Sequence, residues 1–330
     1  MPGPCPAYVA PAWLPGSHLQ TIYPFLFRRH PLPPLQRERW NTPDGDVVEV
    51  DWLHGKTGAP LVILFHGLEG GSRSHYARAL FGMLRAHGWR GVVPHFRGCG
   101  GAPNRTSRAY HSGDFAEIDW MLRTIAQREP DARRFAVGVS LGGNALLKWL
   151  AWSGPAARRA ILAAAAVSAP MDLSIAGHRL GRGVNRMYGW NFLRTLKRKS
   201  LRKLECFPGL YDARAVARAR TLHEFDNLVT APLHGFRDTD DYWCRASSKP
   251  DLGEIRLPTL IVHARNDPFL PGNHLPGPAE VSESVSLHYT EGGGHVGYVS
   301  GPFPGHLEWL PRRVLAFFET DAAAGAQPER

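Results

Sequence analysis

Short apolar runs alternate with amphipathic stretches along most of the chain. Strands are predicted over residues 60–67, 90–98, 135–137, 159–170, 257–267 and 284–295, and the first of these is a continuous apolar run typical of a buried strand. Apolar residues at helical spacing, with a cap at Ser72 or Ser74 and a stop at Gly88 in the first case, occupy residues 72–88, 114–130, 144–152 and 306–320. Two further strands are predicted around the turn signal Pro43-Asp44-Gly45. The pattern predicts an α/β fold with a mostly parallel central sheet and helices on both faces.

The alternation of strands and helices stops between residues 170 and 250. This interval has mixed helical signals, much arginine and no run typical of a buried strand. We therefore predict a cap inserted between two strands of the sheet. The predicted organisation is an N-terminal extension packing on the core (1–35), a core (36–169 and 251–320), the cap insertion (170–250) and a flexible tail (321–330).

Composition and charge limit the expected cellular compartment and the expected binding partners. The hydrophobic share of 43% is sufficient for a large core, and the net charge of +10 permits contact with nucleic acid or anionic lipid. No leader pattern and no apolar run long enough for a membrane span is visible, so we expect a cytoplasmic protein with no integral membrane segment. A reducing compartment and no disulfide framework are also expected, because the cysteines are scattered without C-x-x-C spacing: Cys5, Cys99, Cys206 and Cys244.

A serine stands at the bend between an apolar strand and an apolar helix. Gly138-Val139-Ser140-Leu141-Gly142 matches G-x-S-x-G, with the strand before it and helix formers after it. Such a turn exposes the hydroxyl, and small flanking residues avoid collisions with the strand and the helix. The motif indicates a nucleophilic serine; a plain glycine turn with a capping serine is the alternative.

A serine hydroxyl needs a base, and the base needs a group that orients it. Asp267 directly follows the strand TLIVHARN (259–266), and His295 lies in the glycine-rich loop EGGGHVGY (291–298) after the last strand. Both positions are at carboxyl ends of strands, where open α/β sheets bind ligands. We predict a Ser140–His295–Asp267 triad, with Asp172 and Glu291 as alternative acids. The competing interpretation makes His295 an ordinary surface-loop residue.

Two backbone N–H groups are needed to stabilise the oxyanion of an acyl-transfer reaction. We assign them to Leu141, directly after the nucleophile, and to Leu68, in the glycine-rich loop FHGLEGG (65–71). That loop lacks the phosphate-binding pattern G-x-x-x-x-G-K-[ST], and no G-x-G-x-x-G follows a strand. The histidines show no zinc spacing. We therefore expect no cofactor and no metal.

Several segments resemble the α/β-hydrolase superfamily, and more closely its YheT-like branch (AB hydrolase superfamily 4): PGSHLQTIYP (15–24), HGLEGG (66–71), FRGCGGAPNRTSRAYHSGD (96–114), GVSLGGNALLK (138–148) and EFDNLVTAPLHGF (224–236). The branch more often has serine at the position of Gly100. The resemblance implies an α/β-hydrolase fold and a serine esterase for carboxylic esters, often lipid-like. It carries the triad roles onto Ser140, Asp267 and His295. The N-terminal span of membrane-anchored relatives is not seen here, so anchoring is not carried over.

Two further segments admit two interpretations each. In the long 96–114 connection, side chains of Arg97, Tyr110, His111 and Asp114 could line the pocket; we favour a structural loop locked by its own polar groups. The segment 178–205 has nine Arg or Lys residues and no acid before Glu205. It is compatible with weak contact with an anionic membrane. We favour packing over the site with solvated charges, and we expect no nucleic-acid partner.

The sequence as a whole predicts a carboxylic-ester hydrolase that works through an acyl-enzyme intermediate. Short- to medium-chain or lipid-like acyl esters are the expected small-molecule substrates. An acyltransferase or thioesterase with the same acyl-enzyme is one alternative. A non-catalytic lipid-binding protein on the same fold is another, because a fold does not determine a function.

Overall fold

An eight-stranded sheet forms the centre of the protein. The computed structural model describes residues 6–27 and 30–324. The strands are β1 (Gln36–Asn41), β2 (Val47–Leu53), β3 (Leu61–Phe65), β4 (Arg90–Pro94), β5 (Arg134–Val139), β6 (Ala163–Val167), β7 (Thr259–Ala264) and β8 (Val285–Thr290). Their order is β1-β2-β4-β3-β5-β6-β7-β8, antiparallel from β1 to β4 and parallel from there to β8. The predicted fold class is confirmed.

Helices cover both faces of this sheet and fill the interval between β6 and β7. They are α1 (Ser17–Phe27), α2 (His75–His87), α3 (Phe115–Arg128), α4 (Leu141–Ser153), α5 (Leu173–Leu180), α6 (Arg186–Cys206), α7 (Ala213–Arg218), α8 (Leu222–Phe225), α9 (Ala231–Leu233), α10 (Thr239–Ala246) and α11 (Trp309–Ala324). A π-helical turn joins α8 to α9 over Asp226–Thr230. Within the described residues, no helix combines the length and apolar character needed to cross a bilayer.

The core has two layers because side chains of a strand alternate between the faces of the sheet. In β3, Ile63 and Phe65 pack on the face covered by α3 and α4. Val62 and Leu64 pack on the opposite face against α2 and α11. Each strand of this central region is therefore buried on both faces, which explains its continuous apolar sequence.

Helix ends follow local sequence signals. Gly88 ends α2 in the left-handed conformation (φ 72°), and its N–H bonds the carbonyls of Arg85 and Leu84. Asp114 caps α3 by accepting a hydrogen bond from the N–H of Glu117. The last helix continues past residue 320 to Ala324, and the rest of the predicted flexible tail lies outside the described residues. Cys5 also lies outside them.

The segment between β6 and β7 is helical throughout its regular structure and has small apolar clusters of its own. Its two ends meet, because the N–H of Leu173 donates to Ser247 Oγ at 2.9 Å. Buried Asn144 of α4 ties the end of this segment near Ser248 to the core. Its Nδ2 donates to the carbonyls of Ser112 and Ala246, each at 2.8 Å, and its Oδ1 accepts from the N–H of Ser248 at 3.0 Å.

The long 96–114 connection is held by buried charges. The Arg97 guanidinium reaches Glu117 at 2.6 Å, Asp44 at 2.9 Å and Asp46 at 3.2 Å, and only 4% of its side chain is exposed. Asp46 also accepts from the N–H of Arg105 at 2.7 Å. The loop is thus locked by polar groups, some of them contributed by the β1–β2 turn.

Removing the Arg97 charge should destabilise the fold, because carboxylates would be left buried without their cation. We expect Arg97→Met to lower the free energy of unfolding by about 3–5 kcal/mol. Arg123→Met is the matched control, since Arg123 is exposed and pairs with Asp119 one helical turn away; it should cost less than about 1 kcal/mol. Urea unfolding followed by tryptophan fluorescence measures both. Equal losses in the two variants would contradict the structural role of Arg97.

Candidate active site

The turn from β5 into α4 holds Ser140 in a strained conformation. Its φ of 52° and ψ of −121° are rarely adopted by residues with a side chain. Its N–H donates to the carbonyl of Val167 at 2.9 Å. The flanking glycines are required by space. A Cβ on Gly138 would lie 2.5 Å from the carbonyl oxygen of Gly142, and one on Gly142 would overlap the carbonyl oxygen of Phe65.

The side chains predicted to form a triad are joined by hydrogen bonds. Nε2 of His295 lies 3.0 Å from Oγ of Ser140, and Nδ1 of His295 lies 2.8 Å from Oδ2 of Asp267. Asp267 follows β7 and His295 follows β8, as the sequence predicts. The alternative acids lie elsewhere: Asp172 caps α5, and Glu291 is exposed and pairs with Arg265.

Within this set of hydrogen bonds, the electrostatics favour an ionised Asp267 and a fixed tautomer of His295. Burial alone would raise the pKa of Asp267, but the neighbouring His295 and the N–H of Phe269 keep that pKa below its usual value. An ionised Asp267 accepts from Nδ1–H of His295. Nε2 is then left as the acceptor for the proton of the Ser140 hydroxyl.

The histidine loop is supported by α1, a helix that the sequence patterns did not predict. Oε1 of Gln20 accepts from the N–H of Gly293 at 2.7 Å, and Oγ1 of Thr21 accepts from the N–H of His295 at 2.9 Å. The ring of Phe269 lies 4.0 Å from the imidazole of His295. The N-terminal extension therefore positions the imidazole. The polar pair Gln20-Thr21 within an apolar stretch was the available signal.

Among the described residues, the loop after β3 brings one unpaired amide, that of Leu68, next to Ser140. The N–H groups of Gly67, Glu69 and Gly70 donate to Tyr76 Oη (2.8 Å), Tyr110 Oη (3.0 Å) and the Gly67 carbonyl (2.9 Å). Within the described residues, the N–H of Leu68 has no such acceptor. A Cβ on Gly67 would lie 3.2 Å from Cβ of Ser140, so the two backbones are close.

The second predicted donor is the N–H of Leu141. It stands in the first turn of α4, where helix geometry leaves N–H groups without partners inside the helix and the dipole favours negative charge. Leu68, Ser140 and Leu141 all line the same cavity. The arrangement can thus present two amides to an oxyanion beside Ser140.

A carboxylate in the same loop links the core to α6. Glu69 has a φ of 56°, and its Oε1 accepts from the Tyr110 hydroxyl at 2.8 Å. Nζ of Lys199, on α6, lies 2.8 Å from Oε2 of Glu69, whose side chain is only 8% exposed. Neither Glu69 nor Lys199 was singled out from the sequence. Their ion pair joins the loop that carries the Leu68 amide to the helical insertion.

Behind this loop, His66 holds the backbone as a neutral group. Its Nδ1 donates to the carbonyl of Gly67 at 2.8 Å, and its Nε2 accepts from the N–H of Phe96 at 3.1 Å. Burial lowers the pKa of His66 to about 3. The same ring therefore keeps one donor and one acceptor across the neutral pH range.

A cavity of about 670 Å³ lies between the core and the helical insertion. This volume is typical of small-molecule sites. Tyr110 and His111 of the 96–114 connection line it, and so does Arg97, whereas Asp114 serves as a helix cap. Both interpretations of that connection therefore hold in part. Apolar side chains of the insertion that line the cavity include Leu173, Leu180, Phe192, Leu196, Phe225 and Val229.

Residues 60–302 match the family model described as alpha/beta hydrolase fold. The chain belongs to the α/β-hydrolase family. Within the family it belongs to the YheT-like branch: it is 40% identical over 310 residues to the YheT protein of Escherichia coli (strain K12), covering 92% of this chain and 91% of that protein.

More distant relatives match as well. Phospholipase ABHD3 of Mus musculus is 29% identical, with 94% of this chain and 78% of that protein covered. Among solved structures, the Pyrococcus furiosus esterase PF2001 superimposes with a TM-score of 0.55 at 17% identity, covering 96% of this chain and 97% of that chain. This last likeness concerns the fold alone.

Two glycine-to-alanine substitutions in helices of this hydrolase should have opposite effects. Gly142→Ala should destabilise the fold by about 3 kcal/mol or more, because the new methyl overlaps backbone carbonyl oxygens. Gly82→Ala, inside α2 where the space is open, should stabilise it by about 0.5–1 kcal/mol. Thermal and urea unfolding of both proteins check the signs. A neutral Gly142→Ala would contradict the close packing of the turn.

Proposed function

We propose that the protein is a serine carboxylic-ester hydrolase. The observation that carries the proposal is the hydrogen-bonded chain from Ser140 through His295 to Asp267, at 3.0 and 2.8 Å, beside a large cavity. Ser140 is the nucleophile, His295 the general base and Asp267 the group that orients the imidazole and stabilises its cation.

The reaction proceeds through an acyl-enzyme. Oγ of Ser140 attacks the ester carbonyl carbon while its proton passes to Nε2 of His295. The resulting oxyanion accepts hydrogen bonds from the N–H groups of Leu68 and Leu141. The imidazolium then gives the proton to the leaving alkoxide. A water molecule then attacks the acyl carbon while its proton passes to Nε2 of His295, and the imidazolium returns that proton to Oγ of Ser140 as the acid departs.

The proposed substrate class is supported by the cavity and by the relatives. An apolar wall with a few polar groups suits an acyl chain better than a charged metabolite. Relatives named phospholipase and monoacylglycerol lipase, the latter from Saccharomyces cerevisiae and 29% identical over 255 residues, carry ester-cleaving activities in their names. We assign short- to medium-chain or lipid-like acyl esters.

Ser140→Ala should abolish ester hydrolysis. We expect kcat for p-nitrophenyl butyrate to fall by about 10³–10⁶-fold, because the nucleophile and the triad act as one unit. Labelling by a fluorophosphonate probe, detected by intact-protein mass spectrometry, should disappear in parallel.

Ser153→Ala is the matched control, since Ser153 lies at the far end of the same helix and makes no capping bond with its side chain. It should retain wild-type turnover and labelling. Equal turnover by wild type and Ser140→Ala would remove Ser140 from the mechanism. Product analysis with added glycerol would reveal acyl transfer in place of hydrolysis.

Lys199→Met should lower kcat by about tenfold with little change in KM for a small soluble ester. Loss of the ion pair leaves the Glu69 carboxylate buried without its cation, and the amide of Leu68 loses its fixed orientation. Lys197→Met makes the same charge change on α6, where Nζ of Lys197 donates to the carbonyl of Ala219. Steady-state measurements of kcat and KM for the two variants test this expectation. Equal kcat values would argue against the role of Lys199 in positioning the loop.

A further inference from the structure

Helix α1 is inverted with respect to an ordinary surface helix. Its buried residues are Gln20, Thr21 and Pro24, of which the first two are polar. Its exposed residues are apolar: Leu19 is 52% exposed, Phe25 61%, Leu26 48% and Phe27 67%. Surface helices of soluble proteins normally show the reverse arrangement. An apolar face of this kind marks an interaction site.

The orientation of α1 is fixed by its polar face. Gln20 and Thr21 bond the N–H groups of Gly293 and His295, and Oγ1 of Thr21 also donates to the carbonyl of Ser17 at 2.8 Å. Turning the helix to bury its phenylalanines would break the support of the histidine loop. The apolar residues are therefore held outward by the same contacts that position the imidazole.

The first turns of α6 and the residues before them extend the apolar surface. Nδ1 of His18 lies 3.1 Å from the hydroxyl of Tyr188, and the two rings stack, so α1 and α6 are neighbours. Exposed apolar side chains also occur beside Tyr188 in sequence. We call the combined surface the apolar rim: Leu19, Phe25, Leu26, Phe27, Val184, Met187 and Trp190.

Cations flank the apolar rim. In the part of the chain that the structure describes, Arg182, Arg186, Arg194 and Arg198 have no carboxylate within ion-pair distance. The guanidinium of Arg194 lies 5.4 Å from the ring of Trp190. Tryptophan next to unpaired arginines on one helix is the composition of segments that lie in the interface of an anionic bilayer.

The rim borders the proposed active site. Phe192, on another face of α6, lines the cavity and contacts Phe269. Phe269 in turn lies against His295. The elements that carry the apolar rim are therefore the same elements that wall the cavity and hold the catalytic loop.

We propose that the apolar rim docks this protein on the surface of an anionic phospholipid bilayer. The positive charge beside the apolar rim favours an anionic bilayer over a second copy of the chain, because two rims facing each other would bring their unpaired arginines together. The apolar side chains select it over nucleic acid, which would leave them exposed. The docking deepens the proposed function by naming a bilayer as the source of the acyl ester, yet it does not require Ser140.

Vesicle flotation tests the docking, with Ser140→Ala as the parent so that lipid is not consumed. The parent should float with vesicles of phosphatidylcholine and phosphatidylglycerol and much less with phosphatidylcholine alone, and added salt should release it. In the same background, Phe25→Ser with Phe27→Ser should reduce the bound fraction about tenfold. Arg186→Gln, Arg194→Gln and Arg198→Gln together should remove the preference for anionic vesicles.

Matched controls come from the amino ends of the parallel strands, opposite to the end where Ser140 lies. Trp152→Ser with Leu162→Ser changes two exposed apolar residues there, and Arg85→Gln with Arg158→Gln and Arg159→Gln changes three exposed cations. Both controls should float like the parent. Absence of binding to anionic vesicles, or equal losses in controls and rim variants, would overturn the proposal. So would a dimer in sedimentation velocity that the rim substitutions dissociate.

Turnover in the wild-type background separates the two proposals. Rim variants should hydrolyse a soluble butyrate ester at the wild-type rate and lose activity on the same ester presented in anionic vesicles. If wild type hydrolyses neither ester, the proposed function fails while flotation still decides the docking. Equal loss on soluble and vesicular ester would count against docking, because it would mean that the substitutions disturb the histidine loop.

Discussion

The site depends on the close approach of the first turn of α4 to the end of β3. Gly142 lies against the backbone carbonyls of Phe65 and His66, with no room for a methyl group. This contact sets the separation between Ser140 and the loop that carries Leu68. Because it is a contact of backbone with backbone, the geometry does not depend on side-chain rotamers. The strain at Ser140 persists because the strand before it and the helix after it are both buried.

The imidazole is held in a different way, by groups far apart in the sequence. The loop around His295 contains Val296 and Tyr298 at positive φ, a backbone that cannot maintain itself without outside partners. Those partners come from α1, from Ser168 after β6 and from Asn266 after β7. Ser140 is thus positioned by local packing, and His295 by long-range hydrogen bonds.

The features that could be predicted from the sequence are those encoded by short-range patterns. The strands, the helices on the sheet and the placement of Asp267 and His295 after β7 and β8 follow from periodicity and turn chemistry. Helix α1 was missed because its amphipathic pattern is inverted, so that its apolar residues do not indicate a core-facing stripe. The Glu69–Lys199 pair was missed because it joins residues 130 positions apart, and no spacing rule reaches such a contact. The internal order of the insertion was equally inaccessible, since short helices and a π-helical turn leave no regular period.

The two ends of the helical insertion are hydrogen-bonded to each other, and the second end is also bonded to the side-chain amide of Asn144, on the helix that follows Ser140. The chain therefore leaves the sheet and returns to it at a single place. A segment of another length or shape could be grafted there without moving β6 or β7, provided that it keeps a cation where Lys199 meets Glu69. Divergence among proteins built on this scaffold is accordingly easiest in the helical segment that encloses the cavity, while the sheet and the residues beneath that segment stay the same.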